Sequence, residues 1–440
     1  MTGEEYAPRL AEMIRCRTVS AQMEESRAEF VRLRAVVARL FPLVHERAER
    51  RIFGEDCWVY KLPGRDGDRN VALMSHHDVV AAEGQWEHPP FAGEIADGRL
   101  WGRGTVDTKT SLFAEFSALE ELLAQGWQPP VNVFLASSHN EELGGDGIPR
   151  ALDWFKRQGI TFEVVLDEGG AVVDPPIGGL KCAKCAGVAV HEKGRYWLTC
   201  TARSGGGTGG AYGVKTPVER MSGFIGEACS GKMFIRRLNS QVRAMFSYLA
   251  PWCKLPLRLV LRNLWLTGGL LTRLLPRLSA EAGELLGTAC SFSGIDGNRD
   301  RCTTRASFRA VDRGDLERDL AALRALGEKY GVEVEVDPAS EYHEPADLTC
   351  PAFGYALDCI GQVFPDAPPM PYILPAMTDA RWLTDICPCV LRFAPIRLSP
   401  QQLASVHAQN ENIDLSAIEE AVEFYRVFLR GLVTFSREKK

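Results

Sequence analysis

An excess of basic residues is absent from this chain, which argues against a nucleic-acid-binding protein. The sequence carries 51 Lys and Arg against 57 Asp and Glu, and its formal net charge is -6. The sequence pI is about 5.9. A surface of this average charge repels polyanions. We therefore expect a small molecule or a peptide as the partner, and no nucleic acid.

The sequence also lacks an uninterrupted apolar run that could cross a bilayer. Its richest apolar stretch, residues 255–275, contains Arg258, Arg262 and Arg273. A central arginine costs about 2.5–3.5 kcal/mol on insertion scales. We expect amphipathic helices that cover a core or a partner, without stable membrane insertion. Contact of the same face with a membrane surface is the alternative.

A secretion signal and a disulfide framework are not indicated either. The first residues, MTGEEY, lack the basic and then apolar order of a signal peptide. The 13 cysteines are an odd number scattered along the chain, with a single CxxC at Cys182 and Cys185. Reduced thiols in a cytoplasmic protein are therefore the expectation.

The length and the local patterns indicate two domains. The chain has 440 residues, enough for more than one core. Its first half alternates apolar strand-like runs with segments of helical spacing, which predicts parallel strands with crossover helices. The strand-like runs are 71–74, 131–135 and 162–166, and the helical segments are 110–125 and 148–158.

The pattern changes after about residue 190, where an alternating strand, a glycine tract and a Leu/Arg-rich region follow. A helix at 315–328 and a strand at Val332–Val336 are predicted next. We predict an α/β fold with a mostly parallel sheet flanked by helices, interrupted by a smaller α+β insert. The first domain comprises residues 1–188 and 346–440, and the insert comprises residues 189–345.

Acidic residues and histidines follow the predicted strands of the first half. They are His76, Asp78, Glu141, Glu142, Asp167 and Glu168, and Asp107 lies in a loop just before the predicted helix at 110–125. Ligands of parallel α/β sheets bind beyond the carboxyl ends of the strands. Each cluster alone has an ordinary explanation as a cap, a turn or a solvated surface. Because neighbouring carboxylates repel one another, their joint occurrence favours a divalent cation such as zinc, cobalt or manganese.

Glu141 and Glu142 are neighbours in the sequence and are expected to differ in role. Side chains of adjacent residues in an extended segment point to opposite faces. A Gly-Gly pair follows them almost at once, at Gly144 and Gly145.

Five ordered motifs resemble the M20 family of metallopeptidases and amidohydrolases. They are SHHDVV, WEHPPFAGEIADGRLWGRGTVDTK, HNEELGG, VVLDEGG and SVHAQNE. The Leu/Arg-rich insert resembles the branch of carboxypeptidase S-like enzymes and N-acyl-amino-acid hydrolases. The resemblance implies that the first domain is catalytic and that the insert is a lid or dimerisation domain. A homodimer through the insert is a further expectation.

The resemblance also implies two zinc ions per chain, with cobalt or manganese as alternatives. The implied metal ligands are His76, Asp107, Glu142, Asp167 and His407. Asp107 matches the residue that bridges both metals, often across a cis peptide bond to the next residue. Asp78 would orient the imidazole of His76. Glu141 would be the general base that deprotonates the water between the metals, and the intervening His77 is not expected to be a ligand.

The chain departs from the family pattern at Thr208, within SGGGTGG. There the family has a histidine that reaches a neighbouring subunit and stabilises the oxyanion. Loss of one such donor typically costs about 10²–10³ in kcat. Asn298, Arg309 and Arg381 are the candidates for binding a substrate carboxylate, which suits a guanidinium fork. A surface role is equally compatible with each of them.

These features predict a zinc-dependent hydrolase that cleaves an amide or peptide bond next to a free carboxylate. The substrate would be an N-acyl amino acid, a dipeptide or a peptide C-terminus, and the sequence does not choose between peptidase and aminoacylase. The alternative from another class is a metal-binding member with little or no activity that acts in binding or assembly. A third reading is a site for a single metal.

Overall fold

The computed structural model describes residues 1–175, 178–205, 215–231, 233–278, 283, 285–338, 342–374 and 376–433. The chain divides into two compact units. One is formed by Met1–Val190 with Pro345–Lys440, and the other by His191–Glu344.

The helices of the described residues are α1 Gly3–Ile14, α2 Met23–Leu40, α3 Pro42–Arg47, α4 Lys109–Ala124, α5 Gly147–Arg157, α6 Pro217–Ala228, α7 Ser240–Leu249, α8 Leu255–Arg262, α9 Leu264–Leu278, α10 Arg313–Tyr330, α11 Pro351–Val363, α12 Pro400–Ala404 and α13 Leu415–Arg430. The strands are β1 Glu49–Phe53, β2 Cys57–Leu62, β3 Asp66–His76, β4 Glu94–Ala96, β5 Arg99–Trp101, β6 Val131–Ser138, β7 Val164–Asp167, β8 Val172–Val173, β9 Cys185–Glu192, β10 Gly194–Arg203, β11 Ala289–Gly297, β12 Arg301–Ala310, β13 Val332–Val336, β14 Pro369–Leu374, β15 Val390–Arg392 and β16 Asn412–Asp414.

A nine-stranded sheet forms the centre of the first unit. Its order is β1-β2-β6-β3-β7-β15-β9-β14, and β8 pairs with β9. The neighbouring strands β6, β3, β7 and β15 are parallel. β6, β7 and β15 are buried throughout, and β3 is buried over residues 70–76; all four are rich in Val, Leu and Ala, as expected for a sheet with helices on both faces. The predicted α/β fold with a mostly parallel sheet is confirmed.

The parallel strands bring their carboxyl ends to one edge of the sheet. His76 at the end of β3 lies opposite Ser138 at the end of β6. Asp167 at the end of β7 lies opposite Arg392 at the end of β15. Polar side chains that are far apart in the sequence therefore meet at this edge.

Helix α4 packs in the core of this unit and carries the chain away from that edge. Most of its residues are buried, including Phe113 and Phe116, as is typical of a helix covered on all sides. Helix α13 packs against α4 and α1. A separate three-stranded sheet, in the order β16-β5-β4, joins the segment before α13 to the segment before α4.

The second unit is built on an antiparallel sheet in the order β11-β12-β10-β13. Helices α6 and α10 pack against it around a core that contains Met221, Phe224, Phe308 and Leu323. In the ranges that the structure describes, none of the helices combines the length and the apolar composition that a bilayer crossing requires.

Truncation of Phe134 tests the packing of the central sheet. The rings of Phe134, Phe155 and Phe162 are buried and meet edge to face, with centroids 5.1–5.7 Å apart. We expect Phe134→Ala to lower the free energy of unfolding by about 3–5 kcal/mol, because it leaves a cavity. Urea unfolding measures this loss. The exposed control Val31→Ala should change stability by less than about 0.5 kcal/mol, and an equal effect of the two variants would contradict the packing.

Candidate active site

Three ionisable side chains converge beyond the carboxyl ends of β3 and β6. His76 is the last residue of β3, Asp107 precedes α4, and Glu142 follows β6. One nitrogen or oxygen atom from each lies within 4.8 Å of the others. The structure thus brings together three of the residues that the sequence placed in a metal site.

The carboxylate of Asp107 lies between two imidazoles. Its Oδ1 is 2.9 Å from Nε2 of His76, and its Oδ2 is 3.0 Å from Nε2 of His407. The same nitrogen of His407 is 3.0 Å from Oε2 of Glu142. The peptide bond from Asp107 to Thr108 is cis, as the resemblance implied. His407 therefore joins the cluster although it lies 300 residues further along the chain.

Asp78 supports the cluster from behind. The Nδ1 of His76 lies 3.0 Å from the backbone oxygen of Asp78 and 3.3 Å from its Oδ1. The Asp78 carboxylate also accepts the backbone N–H groups of Glu141 and Glu142, each at 3.2 Å. One buried carboxylate thus orients both the His76 ring and the turn that carries the two glutamates.

The two glutamates do not lie in an extended segment, so that part of the sequence prediction is wrong. Strand β6 ends at Ser138, and Glu141–Leu143 form a turn of 3₁₀-helix. Gly144 closes the turn with a φ of 62°, a conformation that glycine adopts without strain. A Cβ atom on Gly145 would lie 2.1 Å from the side chain of Asn140. Gly144 thus lets the chain turn back without strain, and Gly145 leaves room for the side chain of Asn140.

His77 lies in the core rather than in the cluster. Its ring stacks on Trp58 with a centroid separation of 4.0 Å, and its Nδ1 is 2.9 Å from Oγ of Ser137. This placement agrees with the expectation that His77 is not a ligand.

The charges of the cluster shift the pKa values of its members strongly. Hydrogen bonds to Asp107 and Glu142 raise the pKa of His407 to about 10. Burial alone would raise the pKa of Asp107, but its hydrogen bonds to the two histidines hold that pKa below its usual range. Burial raises the pKa of Glu141 well above its usual range, and the charge of His76 opposes this rise only in part.

Asp167 and Glu168 lie in different environments. Oδ1 of Asp167 accepts the N–H of Glu168, and its Oδ2 accepts the N–H of Ala380, both at 2.9 Å. Burial raises the pKa of Asp167, and these hydrogen bonds and the charge of Arg392 limit the rise. Burial and the negative charges of Asp107 and Asp167 raise the pKa of Glu168 well above its usual range. The charge of Asp107 thus acts on Glu168, whereas Asp167 is held by backbone amides.

Sequence reasoning selected Asp167 as the metal ligand from this strand end and did not weigh Glu168 for that role. The position of Asp167 and Glu168 at the end of a strand is the sequence signal that could have suggested Glu168 as well. Asp167 is the last residue of β7, and Glu168 is the first residue beyond it. Backbone N–H groups of Glu168 and Ala380 orient the Asp167 carboxylate, and Glu168 is the second carboxylate at this strand end.

Glu411 connects the segment of Asp107 to the segment of His407. Its buried carboxylate accepts backbone N–H groups of Gly104, Val106 and Asp107 at 2.7–3.1 Å. Arg103 donates to this carboxylate at 2.5 Å and to the backbone oxygen of Ala408 at 2.9 Å. Strand β16 pairs with β5 next to these contacts. This clamp fixes the relative positions of two cluster residues.

The predicted substrate-binding residues have separate placements. Arg381 is buried in the first unit, donates to the backbone oxygen of Thr378 at 2.7 Å, and lies over the Trp382 ring. Its Nη2 is 3.9 Å from the Cβ position of Gly144, so it borders the turn of the glutamates. Asn298 and Arg309 belong to the second unit. Thr208 lies outside the described residues.

Asn298 has a structural role at the turn between β11 and β12. Its Oδ1 accepts the backbone N–H groups of Asp300 and Arg301 at 2.9 and 3.0 Å. Arg309 is half-buried on β12, opposite Arg195 of β10.

The donor set fits a divalent cation. It consists of imidazole nitrogens and carboxylate oxygens, the ligands that zinc, cobalt and manganese share. Oε1 of Glu142 is buried and has no hydrogen-bond partner among the described residues. An acceptor in that state is costly unless a cation binds it.

Imidazoles and carboxylates gathered at the carboxyl edge of a parallel sheet are typical of metal-dependent hydrolases. The sequence profile described as Peptidase family M20/M25/M40 matches residues 72–431, and the chain belongs to this family of hydrolases. This agrees with the resemblance seen in the sequence motifs.

Two curated relatives are similar along most of their length. The chain is 29% identical to a probable carboxypeptidase S-like 2 of Dictyostelium discoideum, over 96% of this chain and 84% of that protein. It is also 29% identical to the N-fatty-acyl-amino acid synthase/hydrolase PM20D1 of Xenopus tropicalis, over 94% of this chain and 83% of that protein.

Solved structures share the fold. The M20 family metallo-carboxypeptidase Sso-CP2 of Sulfolobus solfataricus matches with a TM-score of 0.66 and 16% identity, over 97% of this chain and 98% of that chain. The YXEP protein of Bacillus subtilis, described as a dinuclear metal binding peptidase, matches with a TM-score of 0.59 and 11% identity, over 98% and 100% of the two chains.

The raised pKa of His407 predicts a pH-dependent stability of the chelator-treated protein. The pKa of His407 is about 10 in the folded protein and about 6.5 in the unfolded chain. Its protonation therefore stabilises the fold fully below about pH 6.5, and this stabilisation is lost as the pH rises to about 10. Urea unfolding in EDTA should therefore show falling stability across this range, and a shallower fall in His407→Gln. His88→Gln, outside the cluster, should keep the wild-type slope. Equal slopes for wild type and His407→Gln would contradict the assignment.

Proposed function

We propose that this chain is a dinuclear metallohydrolase that cleaves an amide or peptide bond next to a free carboxylate. The observation that carries the proposal is the Asp107 carboxylate, which has a histidine at each oxygen and the Glu142 carboxylate within 4.8 Å. The names of the relatives support an N-acyl amino acid or the C-terminus of a peptide as the substrate class.

Two ions would share Asp107. His76 and Glu168 would complete one site, and Glu142 and His407 would complete the other. We propose Glu168 in the place predicted for Asp167, because backbone N–H groups orient both oxygens of Asp167, whereas the charges of Asp107 and His76 act on Glu168. Zinc suits this mixture of imidazole and carboxylate donors, with cobalt or manganese as alternatives.

Bound divalent cations supply Lewis acidity that polarises the substrate carbonyl and acidifies water. Glu141 is the proposed general base. Its carboxylate accepts a proton from the attacking water and passes it to the leaving nitrogen as the C–N bond breaks. Asp78 would position Glu141 through the backbone N–H that it holds at 3.2 Å. Hydrolysis then yields a free amine and a carboxylate.

Arg381 is the proposed anchor of the substrate carboxylate in the first unit. One of its nitrogens is committed to Thr378, and another points toward the turn that follows the two glutamates. A planar guanidinium can bind a carboxylate through two parallel hydrogen bonds. Asn298 and Arg309 remain predictions for the same role, and so does Thr208 as a weaker replacement for an oxyanion donor.

We also propose that the protein is located in a reducing compartment and that it forms a homodimer. All 13 cysteines are free thiols, which supports a cytoplasmic location. The inserted unit is the proposed dimerisation surface, from the resemblance alone.

A second candidate function is a metal-binding member with little activity, used for binding or assembly. The departure at Thr208, where the family has a histidine, favours it. Activity separates the two functions, because both would retain the metal.

Glu141→Gln tests the general base. We expect purified zinc-loaded protein to hydrolyse members of a panel of N-acyl amino acids and dipeptides, and to lose this activity in EDTA. Glu141→Gln should lower kcat by about 10²–10⁴ because the proton acceptor is removed, while metal content is unchanged. The exposed control Glu335→Gln should keep full activity. If the metal-loaded wild-type protein hydrolyses no member of the panel, the binding role is favoured.

A comparison of Glu168→Gln with Asp167→Asn tests the ligand assignment. We expect Glu168→Gln to bind one of the two metals with an affinity at least about tenfold lower than that of the wild type, because a carboxylate ligand is lost. Asp167→Asn should keep both metals and lose about 1–3 kcal/mol of stability, because a backbone N–H loses its acceptor. Elemental analysis, chelator competition and urea unfolding measure these effects. If Asp167→Asn loses a metal and Glu168→Gln does not, Asp167 is the ligand, as the sequence motifs implied.

A further inference from the structure

One segment of the second unit has a charge opposite to that of the whole chain. Residues 228–280 contain nine Lys and Arg and no Asp or Glu, although the chain as a whole has a net charge of -6. Helices α8 and α9 lie in this segment. A stretch of 53 residues without a carboxylate is unusual in a chain with 57 of them, and it marks a surface built for an anionic partner.

The same helices expose large apolar side chains. Leu255 and Leu259 of α8, and Trp265, Leu266 and Leu270 of α9, are 56–80% exposed. Within each helix, the two leucines are spaced by four residues and so lie on one face. Single exposed leucines are ordinary, but a row of them with a tryptophan in two consecutive helices marks an interaction surface.

Cationic side chains accompany this apolar face. They are Lys254, Arg258, Arg262, Arg273 and Arg277. Within the described residues none of these five forms an ion pair or a hydrogen bond through its side chain. Their charges are therefore available to a partner.

A second copy of this chain is a poor occupant for such a face. A symmetric contact would place the same cations opposite one another, with no carboxylate in the segment to neutralise them. A lipid surface with negative headgroups satisfies both features at once. It accepts leucine and tryptophan at the depth of the headgroups and attracts each Lys or Arg.

The geometry also sets the depth of such a contact. Helix α9 has 15 residues and is about 22 Å long at 1.5 Å per residue, which is shorter than the bilayer core of about 30 Å. It also carries Arg273. The helices would therefore lie in the plane of the interface rather than across it.

We propose that helices α8 and α9 form a peripheral binding surface for anionic lipid bilayers. Trp265, Leu266 and Leu270 enter the headgroup region, and Arg262, Arg273 and Arg277 pair with lipid phosphates and carboxylates. The contact is reversible and weakens with salt. It requires neither the metal cluster nor hydrolysis.

Vesicle flotation of the full chain tests this surface. We expect binding to phosphatidylcholine vesicles that contain about 30% phosphatidylserine, and little binding to pure phosphatidylcholine or at high salt. The triple variant Arg262→Gln, Arg273→Gln, Arg277→Gln should lower the partition coefficient by about 100-fold. The triple variant Trp265→Gln, Leu266→Gln, Leu270→Gln should lower it by at least about tenfold.

Matched variants separate the local surface from general effects. Arg47→Gln, Arg65→Gln, Arg157→Gln changes the net charge equally and should bind vesicles as wild type does. Val31→Gln and Ile52→Gln, which replace exposed apolar residues of the first unit, should also have no effect. Circular dichroism and urea unfolding confirm that each variant is folded.

Three results would overturn the proposal. Equal binding to neutral and anionic vesicles would remove the role of charge. Absence of vesicle binding, together with a dimer in sedimentation that the α9 variants dissociate, would assign the face to a second copy. If the protein neither binds vesicles nor forms a dimer, the face has no role in lipid binding or self-association.

Discussion

The carboxylate of Asp107 is shared by the imidazoles of His76 and His407, and an oxygen of Glu142 lies within 4.8 Å. Burial raises the pKa of Glu141 and of Glu168 well above the usual range, and the negative charge of Asp107 adds to both shifts. Such a cluster is unfavourable as a group of free acids. It becomes favourable when cations bind it, and the family to which the chain belongs includes a dinuclear metal-binding peptidase.

The rest of the first unit holds this cluster in place. The parallel strands bring His76 and the acids to one edge of the sheet. Asp78 fixes the His76 ring and the turn of the glutamates, and Glu411 fixes the backbone of Asp107. Buried carboxylates that accept several backbone N–H groups are rigid supports, because each bond would be costly to lose in a dry site.

Local periodicity predicted much of the fold. Val332–Val336 was predicted as a strand and forms β13, and the helical spacing of 110–125 predicted α4 within one residue at each end. Helix α2 was not predicted, although its buried residues Phe30, Leu33, Val37 and Leu40 follow helical spacing among many charges. Short-range patterns report which face is buried, and for that reason they find elements better than they find sites.

The site was only partly accessible from the sequence. His407 has no local signal, because its role depends on pairing of β16 with β5, and it was found through the family motif alone. The proposal of Glu168 in place of Asp167 rests on the backbone N–H groups of Glu168 and Ala380 that Asp167 accepts, and no spacing in the sequence encodes these contacts. The turn at Glu141 and Glu142 differed from the extended segment expected because Gly144 and Gly145 reverse the chain.

The most direct test of the account is a crystal structure of the zinc-loaded protein with anomalous scattering recorded at the zinc edge. The account predicts two peaks about 3.5–4 Å apart, both within bonding distance of the Asp107 carboxylate, one beside His76 and the other beside His407. Peaks elsewhere on the protein, or fully loaded crystals with no zinc at Asp107, would contradict it.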